Sequence, residues 1–283
     1  MLIACGMMLR IKIAIVCFGF LLMALGAISH AESETGNWCE QQWGPIAQPF
    51  DQGEKKNYDD LLKAWQQYEG KCKGTGVYEA RLGQTYILLN RIDDAKKTLS
   101  AAKAGKSDYG NLIEHFLLNI EFREVVRRGA AKGDFNKLVS GYRQLIAKYP
   151  DWYVGYEQLG NIMMFLRQRD EAIKLSLDAT RLSPMSWMGY RNLAIAYSWS
   201  GRYRESVDAA NKVWGLRRTV TSDPEFMLAM AVSFSEVGEF DNAQSCLVVI
   251  SASKPEMRSD PEYAKVVFHV KKKMTDAGVS SKK

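Results

Sequence analysis

Residues 152–184, WYVGYEQLGNIMMFLRQRDEAIKLSLDATRLSP, decide the fold. Tyr156, Leu159 and Gly160 fall on one helical face, where an aromatic ring and a leucine flank a residue with no side chain. A second helix can approach closely at that glycine. Arg169 and Asp170 then lead into a further apolar stripe at helical spacing through Ala172, Leu175 and Ala179. Pro184 stops this stripe, since proline lacks the N–H that a helix interior needs. The stretch predicts two helices joined by a tight turn.

The same pattern returns 34 residues on, from Trp187, with Tyr190, Leu193, Ala194, Tyr197, Gly201 and Tyr203 in matching slots. It returns again between Pro224 and Pro255 with Ala231, Phe234, Gly238, Phe240, Ala243 and Leu247, after a longer inter-repeat turn around residues 218–223. Upstream, Leu82, Gly83, Tyr86, Ala95, Leu99 and Ala102 fill the slots, with Asn90 at the turn. Asparagine tolerates the left-handed backbone that such turns use. Arg167 occupies the same slot in the opening stretch and predicts a different turn there. A divergent unit with an elongated first helix fits residues 111–150, through Ile113, Phe116, Leu117, Ile120, Val125, Phe135 and Tyr142.

This period and its aromatic, small-residue and proline slots resemble the tetratricopeptide repeat. The resemblance implies an all-α fold, a right-handed superhelical array of helix-turn-helix repeats forming an α-solenoid. Its expected parts are a degenerate half-repeat at 57–75, units near 76–109, 110–152 and 153–186, and two units within 187–256. Residues 257–283 are expected to supply a capping helix and a basic tail. Between 32 and 56, Gly36, Gly44, Pro45, Pro49 and Gly53 predict an irregular lead-in, because they punctuate too often for a long helix.

Residues 1–31 read as a signal peptide: Arg10 and Lys12 precede the apolar run Ile13–Leu25, and Ser29-His30-Ala31 offers small residues for cleavage. Export predicts a periplasmic or secreted protein. The charge balance, 38 Lys and Arg against 32 Asp and Glu, is only mildly basic, and nucleic acid is not an expected partner. Membrane contact is expected only through an uncleaved signal or a peripheral C-terminal helix, whose Tyr263, Val266, Val267 and Val270 form a stripe beside lysines. Cys39 and Cys72 lie in the Trp- and Gly-rich N-terminal part and are the expected disulfide; Cys246 reads as a small buried hydrophobe.

Beyond the signal the chain has only His115 and His269, and no zinc-protease motif, nucleophile elbow or dinucleotide fingerprint occurs. No catalytic residue, metal or cofactor is therefore expected. Stacked helical hairpins present a concave surface lined by their first helices. The slots that face it are Gln84 and Ile87 in one repeat, then Glu157, Asn161, Met164 and Phe165, then Met188, Arg191, Asn192, Ile195 and Trp199. Amides beside methionines and aromatics suit an extended peptide. The clamp by which some tetratricopeptide proteins hold a terminal carboxylate is matched only in part: Asn161 and Asn192 fit, whereas Glu157 and Ala229 stand where cations belong. The reading is a non-catalytic interaction module or scaffold of the cell envelope with a protein or peptide partner. The alternative is an enzyme or glycan-handling protein using groove carboxylates.

Overall fold

Apolar side chains recurring every three to four residues give each segment one face to bury, and the described residues form fourteen α-helices and no strand. The structure is a computed structural model, and it describes residues 34–51, 57–104, 109–128, 135–217 and 223–279. The expected signal peptide and most of the longer turn at 218–223 lie outside them. No helix among the described residues is long and apolar enough to cross a membrane. Two compact units divide within the first turn of the eighth helix, one ending at Gly155 and the other beginning at Tyr156.

The N-terminal unit contains α1 (Glu34–Asp51), α2 (Tyr58–Gln66), the short α3 (Glu69–Cys72), α4 (Val77–Leu88), α5 (Ile92–Ala104), α6 (Gly110–Arg127) and α7 (Asn136–Lys148). Pairs α4/α5 and α6/α7 pack as hairpins. The irregular lead-in expected over 32–56 is instead the helix α1, which packs on α2 and α4. Cys39, Trp43, Ala47 and Phe50 recur on one of its faces, and all four are buried. Burial of that stripe outweighs the local cost of Pro45 and Pro49 inside the helix. Residues 57–75 are accordingly the second half of a hairpin whose first helix is α1. Cys39 and Cys72 form a disulfide. Beside it the Trp43 and Trp65 rings meet edge to face at 5.2 Å, and the Trp65 indole N–H donates to the Tyr78 carbonyl at 3.1 Å.

In the C-terminal unit lie α8 (Tyr153–Phe165), α9 (Arg169–Leu182), α10 (Trp187–Trp199), α11 (Tyr203–Leu216), α12 (Pro224–Glu236), α13 (Phe240–Ser253), a 3-10 turn at Pro255–Ser259 and α14 (Pro261–Asp276). A Cβ placed on Gly160 would lie 3.1 Å from the Ser176 hydroxyl of α9. The two helices of that hairpin cross too closely for a larger residue to fit without adjustment. In the next hairpin the Ser206 hydroxyl donates to the Ala194 carbonyl at 2.7 Å, directly across the crossing.

Four hairpins turn in the same way. Asn90, Arg167, Gly201 and Gly238 have φ of 58°, 61°, 75° and 86°. The N–H that follows each of them donates back to the first helix: Arg91 to Tyr86, Gln168 to Met163, Arg202 to Tyr197 and Glu239 to Phe234, at 2.8–2.9 Å. Arg167 therefore makes the common turn and not a different one. That bond fixes a left-handed residue whatever its side chain, at a cost of about 1–2 kcal/mol for a residue bearing a Cβ. Part of the cost is offset because the Arg167 guanidinium lies 4.3 Å from the centre of the Trp199 ring.

Both the turn geometry and the disulfide can be tested. Space is open around Gly201 and Gly238, so Gly201→Ala and Gly238→Ala probe conformation alone. Each should lower stability by about 1 kcal/mol in urea titrations, and an unchanged midpoint would contradict the turn. Replacing Cys39 and Cys72 together by serine opens a loop of 33-residue separation and should cost about 3–4 kcal/mol by chain entropy, read as a lowered thermal midpoint.

Candidate functional site

Helical spacing places Glu157, Asn161 and Met164 on one face of α8, and Met188, Arg191, Asn192, Ile195 and Trp199 on one face of α10. Hydrogen bonds join these faces. The Glu157 carboxylate, 5% exposed, accepts from the Ser186 hydroxyl at 2.5 Å. That hydroxyl in turn accepts from the Gly189 N–H at 2.9 Å, so it also caps α10. Asn192 is wholly buried; its Nδ2 donates to the Glu157 carbonyl at 3.1 Å, and its Oδ1 accepts from Arg191 at 3.2 Å.

Arg191 extends the network to α12. Its Nε donates to Asp223 at 2.6 Å and its terminal nitrogen to Glu225 at 3.0 Å. Burial alone would lower the pKa of this guanidinium, but the two carboxylates more than offset that and hold it above its ordinary range. Asp223 also caps α12, accepting from the Phe226 N–H at 3.2 Å. Burial pushes the Glu157 carboxyl up to about 7, against the opposing hydrogen bonds from Ser186 and the Gly189 N–H.

The remaining residues of the expected groove divide by exposure. Asn161 is buried, and its side-chain amide makes no hydrogen bond among the described residues. Met164 is buried, and Met188, also buried, accepts from Gln158 Nε2 at 3.4 Å through its sulfur. Phe165 is 41% exposed at the end of α8, and Trp199 is half-buried beneath the Arg167 guanidinium. Gln84 and Ile87 sit in the N-terminal unit and are both buried, with Gln84 accepting from Arg81, which is itself ion-paired to Glu40 of α1. Ser186, Asp223 and Glu225 were not among the expected groove residues. Ser186 and Asp223 stand just before their helices, a position that marks them as caps but not as partners of Glu157 and Arg191.

His115 is buried, its Nδ1 lies 3.1 Å from the Tyr142 hydroxyl, and its ring meets the Trp152 ring edge to face. Burial, with a smaller contribution from Arg81, lowers its pKa to about 3, so it remains neutral. Cys246 is buried, and burial raises its thiol to about 12, as befits a packing residue. No group of three or more His, Cys, Asp or Glu placed to hold a metal occurs among the described residues.

No family model matches the chain, and neither does any curated protein. Solved structures do. A thermophilic tetratricopeptide protein of Thermus thermophilus superposes with a TM-score of 0.50 and 18% identity, over 68% of this chain and 99% of that one. The Cut9–Hcn1 hetero-tetramer of APC/C gives a TM-score of 0.60 at 14% identity, over 84% of this chain and 46% of the matched one. PilW, described as a widely conserved type IV pilus biogenesis factor, gives 0.51 at 13%, over 83% and 99%. The chain has the tetratricopeptide-repeat fold.

The position of Glu157 yields a pH prediction. Unfolded, its carboxyl titrates near 4.5; folded, near 7, so the native state holds the proton more tightly. Its contribution to stability is complete below 4.5 and is lost as pH rises towards and through 7. The urea midpoint should fall between about pH 5 and 7.5 in the parent protein. Glu157→Gln, which keeps an acceptor for Ser186 but cannot ionise, should remove that part of the slope; identical slopes would contradict the assignment.

Proposed function

We propose that this protein is a non-catalytic interaction module of the cell envelope that binds a peptide or protein segment along the first-helix face of α8, α10 and α12. The observation that carries the reading is the hydrogen-bonded row from Glu157 through Asn192 and Arg191 to Asp223 and Glu225. Besides the apolar contacts of hairpin stacking, this row ties α8 to α10 and α10 to the start of α12 by directional polar bonds. Such a row holds its neighbours in fixed rotamers, which lowers the entropy cost of ordering a bound segment. Within it Asn161 keeps its amide groups for a backbone, while Phe165 and Trp199 offer apolar surface at the ends of α8 and α10. The carboxylates are already engaged by Ser186 and Arg191, which favours binding over an enzymatic or glycan-handling use of them. A disulfide and a signal-like N-terminus support an oxidising, extracytoplasmic setting. PilW, a pilus biogenesis factor of the same fold, offers a parallel for an assembly role.

Asn161→Ala and Trp199→Ala test the face. A partner isolated from envelope extract with the parent protein should bind each variant about thirtyfold more weakly, as for a typical interface hot spot, with the thermal midpoint little changed for Asn161→Ala and lowered for Trp199→Ala, which loses the Arg167 contact. Undiminished affinity in both correctly folded variants would overturn the site. Turnover of cell-wall fragments without any protein partner would overturn the binding reading itself.

A further inference from the structure

Helix α14 closes the C-terminal unit, and its two faces differ sharply. The inner face is fixed to α12 and α13: Val270 and Met274 are buried, and Lys273 and His269 both reach the Glu236 carboxylate, at 2.7 and 3.0 Å. The Tyr263 hydroxyl donates to the Leu247 carbonyl at 3.4 Å, and Asp260 caps the helix through the Glu262 and Tyr263 N–H groups. The outer face is thus held in one orientation. At its centre stands Phe268, 70% exposed, the most exposed of the large apolar side chains described. Lys265, Lys271 and Lys272 lie three or four positions away, on the same face, and all three are exposed. Lys265 and Lys272 pair with Glu262 and Asp276, but with both lysines more than half exposed such pairs contribute little.

We infer that this face is a peripheral docking surface for an anionic lipid bilayer, with Phe268 entering the headgroup boundary and the three lysines meeting headgroup phosphates. Charge complementarity selects the occupant. A second copy docked two-fold about Phe268 would set lysines against lysines. An acidic protein is less well matched, because interface centres are depleted in lysine and rely on clustered aromatics and arginines, whereas here one ring stands alone on a convex helix. Lysines on flexible stems suit diffuse headgroup charge, and Phe268 is an apolar side chain of the kind that enters the headgroup boundary. The sequence continues past α14 with Lys282 and Lys283, of the same sign.

Co-sedimentation of the full chain with phosphatidylcholine vesicles, with and without about 30% phosphatidylglycerol, tests this. The anionic vesicles should bind better, and added salt should erase the difference. Lys271→Gln with Lys272→Gln should weaken anionic binding about thirtyfold, and Phe268→Ser about tenfold, with unaltered thermal midpoints because these side chains are exposed. An apolar N-terminal segment is shared by every variant and cannot produce these differences. Equal binding to both vesicles, or variants indistinguishable from the parent, would overturn the proposal. So would photo-crosslinking at position 268 that captures an acidic protein in place of lipid.

Discussion

The close crossing of the two helices within each hairpin is the constraint on which the rest depends. Gly83 and Ala95, Gly160 and Ala172, Ala194 and Ser206, Ala231 and Ala243 are four pairs separated by the same twelve positions, and every member is buried. A larger residue in either slot would push the helices apart, lengthening the reach of the turn and lifting the apolar stripes out of register. With the crossing fixed, the turn has one geometry, in which a single left-handed residue and a backbone bond into the first helix close the end. The strength of this requirement is visible at Arg167, which adopts that conformation although its side chain opposes it. Apart from these slots, first-helix residues facing away from the hairpin are free to vary, and the polar row of α8, α10 and α12 occupies that freedom.

A hairpin stack leaves an unpaired apolar face where it ends, and the N-terminal and C-terminal units cover theirs differently. At the N-terminal end α1 is held covalently through Cys39 and Cys72 and by large rings, Trp43 on Trp65 and Trp65 on Tyr78. The C-terminal end is closed by α14, whose inner face combines few apolar residues with the Lys273–Glu236 ion pair. A helix with so narrow an apolar stripe presents mostly polar surface outward, which makes the exposed Phe268 the exception on it.

The repeats are legible in the sequence because they rest on local spacing: aromatic, small and proline slots recur at fixed intervals whatever lies between them. Helix α1 is not, because Gly44, Pro45 and Pro49 argue against a helix one residue at a time, while Cys39, Trp43, Ala47 and Phe50 argue for one only when read together. The candidate face is legible as a set of positions, since spacing alone puts Glu157 with Asn161 and Arg191 with Asn192. Its connections are not. Ser186 reaches Glu157 across 29 positions and Asp223 reaches Arg191 across 32, distances over which only the packing of one hairpin on the next decides what meets.

The energetics of that row bear on why it exists. Taking Arg191 and Glu157 out of water, with Asp223 partly covered, costs free energy that pairing returns only in part, and the ion pairs of a buried guanidinium are often matched or bettered by apolar residues of similar volume. Glu157 makes the point most directly, since burial raises its pKa to about 7 and leaves it partly ionised at neutral pH at the expense of stability. An array selected only to stack would place leucine or methionine at these slots, as it does at Met164 and Met230, which are buried without such a penalty. What the polar row contributes is definition: Asn192 ties α10 to the backbone of α8, Arg191 ties α10 to the start of α12, and neither bond survives a shift of one helix along the other. A surface fixed in this way suits recognition of a particular segment, and the stability given up to build it is the physical reason to look for the partner there.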